Sequence, residues 1–188
     1  MQQFFDDQTF TKDYTQNRLP RGEYDNCTFI NCNFENSDIA NCTFLECEFV
    51  DCNLSNCNVT NTVFKTVAFK TCKLLGIKFE TCSDFIIEFS FENCQLNYAS
   101  FHKLNIHSTS FKNCNLSEVD FSESDLSDVQ FNETVLSNAI FDKTNLTKAN
   151  FQTALDYTID PESNTMTNAQ FSKDNLLGLL KKHKLLIK

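Results

Sequence analysis

Apolar residues recur along this chain at every fifth position. One run goes from Tyr24 through Phe29, Phe34, Ile39, Phe44, Phe49, Leu54, Val59, Phe64, Phe69 and Leu74 to Phe79. A second goes from Ile86 through Phe91, Leu96, Phe101, Ile106, Phe111, Leu116, Phe121, Leu126, Phe131, Leu136, Phe141 and Leu146 to Phe151. At 41% apolar content, 26 such positions without a polar exception arise by chance roughly once in 10¹⁰. Two residues before each centre the side chain is usually small, as at Cys27, Cys32, Ser37, Cys42, Cys47, Cys52, Cys57, Thr62, Cys94, Ala99, Thr109, Cys114, Val119 and Ala139. The other three positions carry mainly Asn, Asp, Glu, Ser, Thr and Lys. A period of five fits neither an amphipathic helix (3.6) nor a half-buried strand (2.0). It fits a coil with straight sides five residues long. Each side sends one large and one small side chain to the axis, and stacked sides pair as in a parallel sheet.

With four sides to a turn, residues 20 apart stack, and the columns can be written out directly. Phe29, Phe49 and Phe69 continue into Phe91, Phe111, Phe131 and Phe151 once two residues are inserted between Phe79 and Ile86. The same insertion aligns Leu54, Leu74, Leu96, Leu116 and Leu136, and also Phe79, Phe101, Phe121 and Phe141. A bulge is therefore expected at residues 81–85. The 26 sides make about 6.5 turns, a rod ~31 Å long at the spacing of paired strands. Solenoid ends need capping. Residues 1–21, with Phe10, Tyr14 and Leu19, are expected to cap the first coil, and residues 156–188 the last. Ser172 is placed to cap a short helix. The leucines of that helix lie on more than one side, which predicts burial against a second copy through Phe171, Leu176, Leu177, Leu179 and Leu180.

Units such as Cys27-Thr28-Phe29-Ile30-Asn31, Cys42-Thr43-Phe44-Leu45-Glu46 and Ala149-Asn150-Phe151-Gln152-Thr153 resemble those of the pentapeptide-repeat family, over residues 22–155. The resemblance implies an all-β fold, a right-handed quadrilateral parallel β-helix. This chain departs from the family in the small inward position, often Ala there and often Cys here. Members of the Qnr and MfpA groups bind the type II topoisomerases gyrase or topoisomerase IV, can protect them from quinolones, and in the Qnr type dimerise through a C-terminal module. The resemblance therefore implies a homodimer with a topoisomerase as partner. Long loops of the kind that protection requires are missing from this pattern.

Composition and charge narrow the function. The chain has 188 residues and a net charge of −9, which argues against direct nucleic-acid binding, since phosphate neutralisation needs clustered Lys and Arg. The first seven residues carry no basic-then-apolar leader, and apolar clusters are far short of the ~20 residues that cross a bilayer. A cytoplasmic protein with reduced thiols and no membrane contact is expected. Cys32, Cys52, Cys72, Cys94 and Cys114 fall in one column, but without the short convergent spacings of a metal site they read as packing. His102, His107 and His183 read as surface residues. No catalytic motif is present, and three glycines are too few for a phosphate-cradling loop. No enzyme, metal or cofactor is expected.

The acids come in bands. Residues 22–64 carry Glu23, Asp25, Glu35, Asp38, Glu46, Glu48 and Asp51 with no base. Residues 113–142 carry Glu118, Asp120, Glu123, Asp125, Asp128, Glu133 and Asp142, again with none, while the stretch between is net +2, six Lys against four acids. Fixed carboxylates on a narrow rod imitate DNA phosphates to a basic groove. These fourteen are the candidate partner-binding face of a non-enzymatic DNA mimic. The alternative is a scaffold that binds an unrelated protein along an uncharged side.

Overall fold

The computed structural model describes residues 3–16, 18–83 and 87–186, and the chain is a parallel β-solenoid of about eight turns. The strands are short: β1 (Gln3–Asp6), β2 (Thr9–Phe10), β3 (Gly22–Asp25), β4 (Thr28–Ile30), β5 (Thr43–Leu45), β6 (Glu48–Val50) and β7 (Val63–Lys65). There follow β8 (Val67–Lys70), β9 (Phe89–Glu92), β10 (Ser110–Lys112), β11 (Gln130–Asn132), β12 (Asn150–Phe151) and β13 (Gln170–Phe171). On the first side of the coils β1-β3-β5-β7 form one parallel sheet; on the second side β2-β4-β6-β8-β9-β10-β11-β12-β13 form another. The third and fourth sides are held by single bridges such as Asn33 with Asn53 and Ser100 with Asp120. Among the described residues no helix is long and apolar enough to cross a membrane.

Stacked rings fill the axis. On the second side Phe10, Phe29, Phe49, Phe69, Phe91, Phe111, Phe131, Phe151 and Phe171 form one unbroken ladder, neighbouring centroids 4.6–5.4 Å apart. On the fourth side Phe79, Phe101, Phe121 and Phe141 stack in the same way. Each such pair contributes about 0.5–1.5 kcal/mol beyond the area it buries. The register of the second side carries a two-residue insertion. Phe69 pairs with Phe91, 22 residues on, and the break falls between the Ser83 N–H, which donates to Thr62 O, and the Glu88 N–H, which donates to Phe64 O. Ile86 and residues 84–85 of the expected bulge lie outside the described residues. Beside the insertion Phe89 occupies a position that elsewhere holds a small residue, and its buried ring packs between Phe64 and Phe79 at 5.5 and 5.2 Å.

Both ends add coils of their own, which is why the rod exceeds the ~31 Å expected: nine stacked strands span ~38 Å. The N-terminal segment covers the first coil by becoming a coil. Gln3 pairs with Gly22 and Thr9 with Thr28, both 19 residues apart, because four residues rather than five separate Phe10 from Tyr14. At the other end Tyr157 and Ile159 fill the axis and the chain closes in a 3₁₀ helix, Lys173–Leu179, whose first turn is capped by Ser172 Oγ accepting from the Asp174 N–H. Gly178 is pressed against Tyr157 so closely that a Cβ there would lie 2.5 Å from the ring.

Corners recur every five residues, two after each centre, and nearly all have a left-handed backbone. Asn26, Asn31, Asn36, Asn41, Asn56 and Asn61 take φ between 47° and 61°, as the asparagine side chain tolerates. On the third and fourth sides the corner closes as a β-turn, for example with the Ser37 N–H donating to Phe34 O and the Ala99 N–H to Leu96 O.

Ring stacking makes the ladder intolerant of truncation. Phe111→Ala, between Phe91 and Phe131, is expected to cost about 3–5 kcal/mol, read as a lowered urea midpoint with an unchanged slope.

Candidate interaction surface

Among the described residues the axis of the rod is filled by side chains. Phe, Leu, Cys and Thr side chains close the axis, and among the described residues no group of three or more His, Cys, Asp or Glu converges as a metal site. All ten cysteines are free and buried. Burial pushes the Cys57 thiol up to about 11 and Cys47 up to about 12. Cys72 is raised by its thiol neighbours Cys52 and Cys94 and then by burial. These are protonated groups, and their protons have a use.

On the second side the Phe29, Phe49, Phe69 and Phe111 carbonyls lie in the parallel strand ladder, and no β-turn bond closes the corners after them. Cys52, Cys72 and Cys94 donate from Sγ to the Phe29, Phe49 and Phe69 carbonyls, each at 3.3 Å, and further along the column Thr134 Oγ1 donates to Phe111 O at 3.0 Å. The thiol ladder therefore packs and also satisfies backbone acceptors, a role that reading it as apolar filler misses. Because Thr performs it in the same column, Cys72→Thr is expected to melt near the native temperature. Cys72→Ala is expected to lose about 1 kcal/mol in the same thermal scan.

The fourteen candidate acids do not share one face. Glu23 and Asp25 lie on the first side, Glu48 on the second, Glu35 on the third, and Asp38 and Asp142 on the fourth, with Asp51 at the corner leaving the second side. Several are already engaged. Arg18 and Arg21 approach Asp38 at 3.9 and 3.8 Å, Lys70 pairs with Glu48, Lys103 lies 3.6 Å from Glu123, and Asn53 Nδ2 donates to Glu35. Asp38, Asp120 and Asp125 hold the backbone: each carboxylate accepts the N–H two residues on, at 2.8–3.0 Å. Asn53, Asn58, Asn115 and Asn145 do the same in equivalent positions.

The freer acids stand on corners. Glu118, Glu123, Asp128 and Glu133 occupy the four successive corners of one coil, all exposed and all left-handed, so they encircle the rod. A second alignment runs lengthwise. At the edge between the first and second sides the corner column reads Asp7, Asn26, Glu46, Thr66, Glu88, Ser108, Asp128, Lys148, Asn168, so as far as Asp128 an acid stands at every second coil, about 10 Å apart, and a lysine follows it. Asp25 and Glu48 flank it. Asp6, Asp7 and Glu88 were missed by counting charges along the chain; writing the corner residues as columns, with the same two-residue insertion, reveals them.

Burial raises the Asp125 carboxyl, but the Ser127 N–H and hydroxyl, the Asn145 amide and nearby His107 outweigh it and leave the group below the usual Asp value. A lowered folded value stabilises above the unfolded one and is lost as pH falls through it. The stability of the protein relative to an Asp125→Asn variant is therefore expected to decline from about pH 5 to pH 2. The variant itself, keeping an acceptor oxygen, should retain the turn at neutral pH, as circular dichroism melts would show.

At the C-terminal end the five expected interface residues divide. Phe171 stacks on Phe151 at 5.1 Å and Leu179 packs on the core, whereas Leu176, Leu177 and Leu180 are exposed. With Leu185 and Leu186 they make an apolar surface, and a hollow of about 390 Å³ lies among Leu177, Leu180, Leu185 and Leu186. Lys182 fastens this segment down, pairing with Asp160 and Glu162 at 2.7 and 2.6 Å.

A four-sided parallel coil with inward Phe and Leu, small inward partners and left-handed corners defines a pentapeptide solenoid. The sequence matches the model described as "Pentapeptide repeat region" over residues 23–89 and 85–158, and the chain belongs to that family. Among solved structures it is similar to a trypsin-treated single-residue variant of QnrB1, described as a plasmid-mediated fluoroquinolone resistance protein, with a TM-score of 0.63 at 15% identity, covering 99% of this chain and 100% of that one. Full-length QnrB1 aligns with a TM-score of 0.57 at 17% identity, over 97% and 100%. These likenesses are of fold. No curated protein sequence matches the chain at a significant level.

Proposed function

We propose that this protein is a non-enzymatic rod that imitates DNA along its acidic edge and docks into the nucleic-acid groove of a type II topoisomerase, gyrase or topoisomerase IV. The observation that carries the reading is the corner column in which Asp7, Glu46, Glu88 and Asp128 repeat at every second coil. A rigid line of carboxylates presented without side-chain reorganisation suits a groove built to neutralise phosphates. The choice of target rests on the likeness to QnrB1, a fluoroquinolone resistance protein. The working unit of this reading is a cytoplasmic homodimer in which Leu176, Leu177 and Leu180 of two copies cover one another. Inhibition by competition with DNA is the expected effect. Protection from quinolones is not expected, since the insertion in the coils is only two residues long.

A second reading, a scaffold for an unrelated protein, is favoured by Tyr98. It is 63% exposed at the corner leaving the third side, at φ 62°, a conformation costly for a bulky residue. DNA supercoiling by the host gyrase separates the two. The triple change Glu46→Lys, Glu88→Lys and Asp128→Lys touches none of the carboxylates that hold turns. It is expected to raise the half-inhibitory concentration by ~10-fold or more, while Tyr98→Ala leaves it unchanged. No inhibition by the native protein at large molar excess would remove the topoisomerase, and a partner lost on Tyr98→Ala would establish the scaffold.

A further inference from the structure

The N-terminal end of the rod carries an unused sheet edge. β1 and β2 are the outermost strands of their sheets, each paired on one side only among the described residues. Edge strands are normally protected by Lys, Pro or a bulge. β1 reads Gln3-Phe4-Phe5-Asp6 and has none of these. Phe4 points outward and is 61% exposed, and Phe5 is only half-buried, its ring stacked on Tyr24 at 4.6 Å and set edge-on to Phe10 at 5.9 Å. The strand is also flanked by opposite charges. Asp6 and Asp7 stand exposed at its far end, while Arg21, just before Gly22 and so at the corner above the start of β1, keeps 62% of its side chain exposed with only a 3.8 Å approach to Asp38.

We propose that this edge is an interaction surface for a second copy of the same chain, the two β1 strands pairing antiparallel about a two-fold axis. Two four-stranded sheets then become one continuous sheet, and Phe5 of each copy gains an aromatic neighbour on its open side. Antiparallel pairing reverses one strand over the other, so the Asp7 end of each meets the Arg21 corner of its mate, and the attraction is made twice by symmetry. The parallel alternative would set like charges together. An end of a rod with sides of about 16 Å buries less than the ~800 Å² per partner of a standard interface, so the association is weak and salt-sensitive. It is independent of the C-terminal leucines and of any topoisomerase. Joined with a C-terminal dimer, it would string rods end to end.

The test uses the full chain with Leu177→Lys and Leu180→Lys, so that association through the other end is removed, and sedimentation equilibrium from ~10 µM to ~1 mM. Self-association is expected in that range. Asp7→Arg alone or Arg21→Glu alone should each weaken it ~10-fold or more, and the two changes combined in one chain should restore it, as should mixing the two single variants. Phe4→Lys should abolish it with the far-UV circular dichroism spectrum unchanged. A protein monomeric throughout the range, or a combined variant as weak as the single ones, would overturn the proposal.

Discussion

Everything in this rod depends on the chain turning a corner every fifth residue in a backbone conformation that favours glycine, in a sequence with only three glycines. A left-handed residue costs roughly 1 kcal/mol when it carries an ordinary side chain. Asparagine lowers that cost at many corners, but Thr66, Thr71, Tyr98 and Lys103 bear it in full. What offsets it is collective. Each coil brings a ring onto the ring below, a backbone ladder on every side, and hydroxyl or thiol donors to backbone carbonyls of the coil before it. No single side could hold its corner alone.

The same constraint sets what the protein shows to a partner. A left-handed corner throws its side chain outward, away from the sides it joins, so the corner columns are the most exposed lines on the rod. On the flat sides, by contrast, several side-chain oxygens are committed to the backbone two residues away, as at Asp38, Asp120 and Asp125. An acid on a flat side and an acid on a corner therefore differ in kind. The first can be held by a turn, as Asp120 and Asp125 are, and the second stands outside it, although both count equally in the net charge.

That difference explains what was legible in the sequence. The Phe and Leu columns and the phase-restoring insertion follow from a period that side-chain size alone enforces, and the Ser172 cap from a hydroxyl placed just before the helix. The coil made by residues 3–21 was read only as a cap, because its 19-residue spacing breaks the period at Phe10 and Tyr14. The Cys column was visible, but its use was not: which backbone carbonyl lies within reach of each thiol is set by the stacking of one coil on the next, and no pattern of side chains records it. Candidate acids grouped by closeness in sequence were dispersed around the rod, since five residues along the chain is a quarter turn about the axis.

The uniform stacking distance also bears on how such a chain finds its structure. Nearly every pairing joins residues about 20 apart, whichever coil is considered. Relative to 188 residues that is a mean separation of ~0.11, in the range of helical bundles and below that of sandwiches and barrels. Each added coil closes the same short loop at the same entropic cost and is rewarded at once by contact with the coil before it. The molecule is all-β in its hydrogen bonds and local in its topology, so it can assemble as a zipper started anywhere along its length. The irregular places, near residue 12 and between Ser83 and Glu88, are where the closing loop changes size and where the advancing front slows.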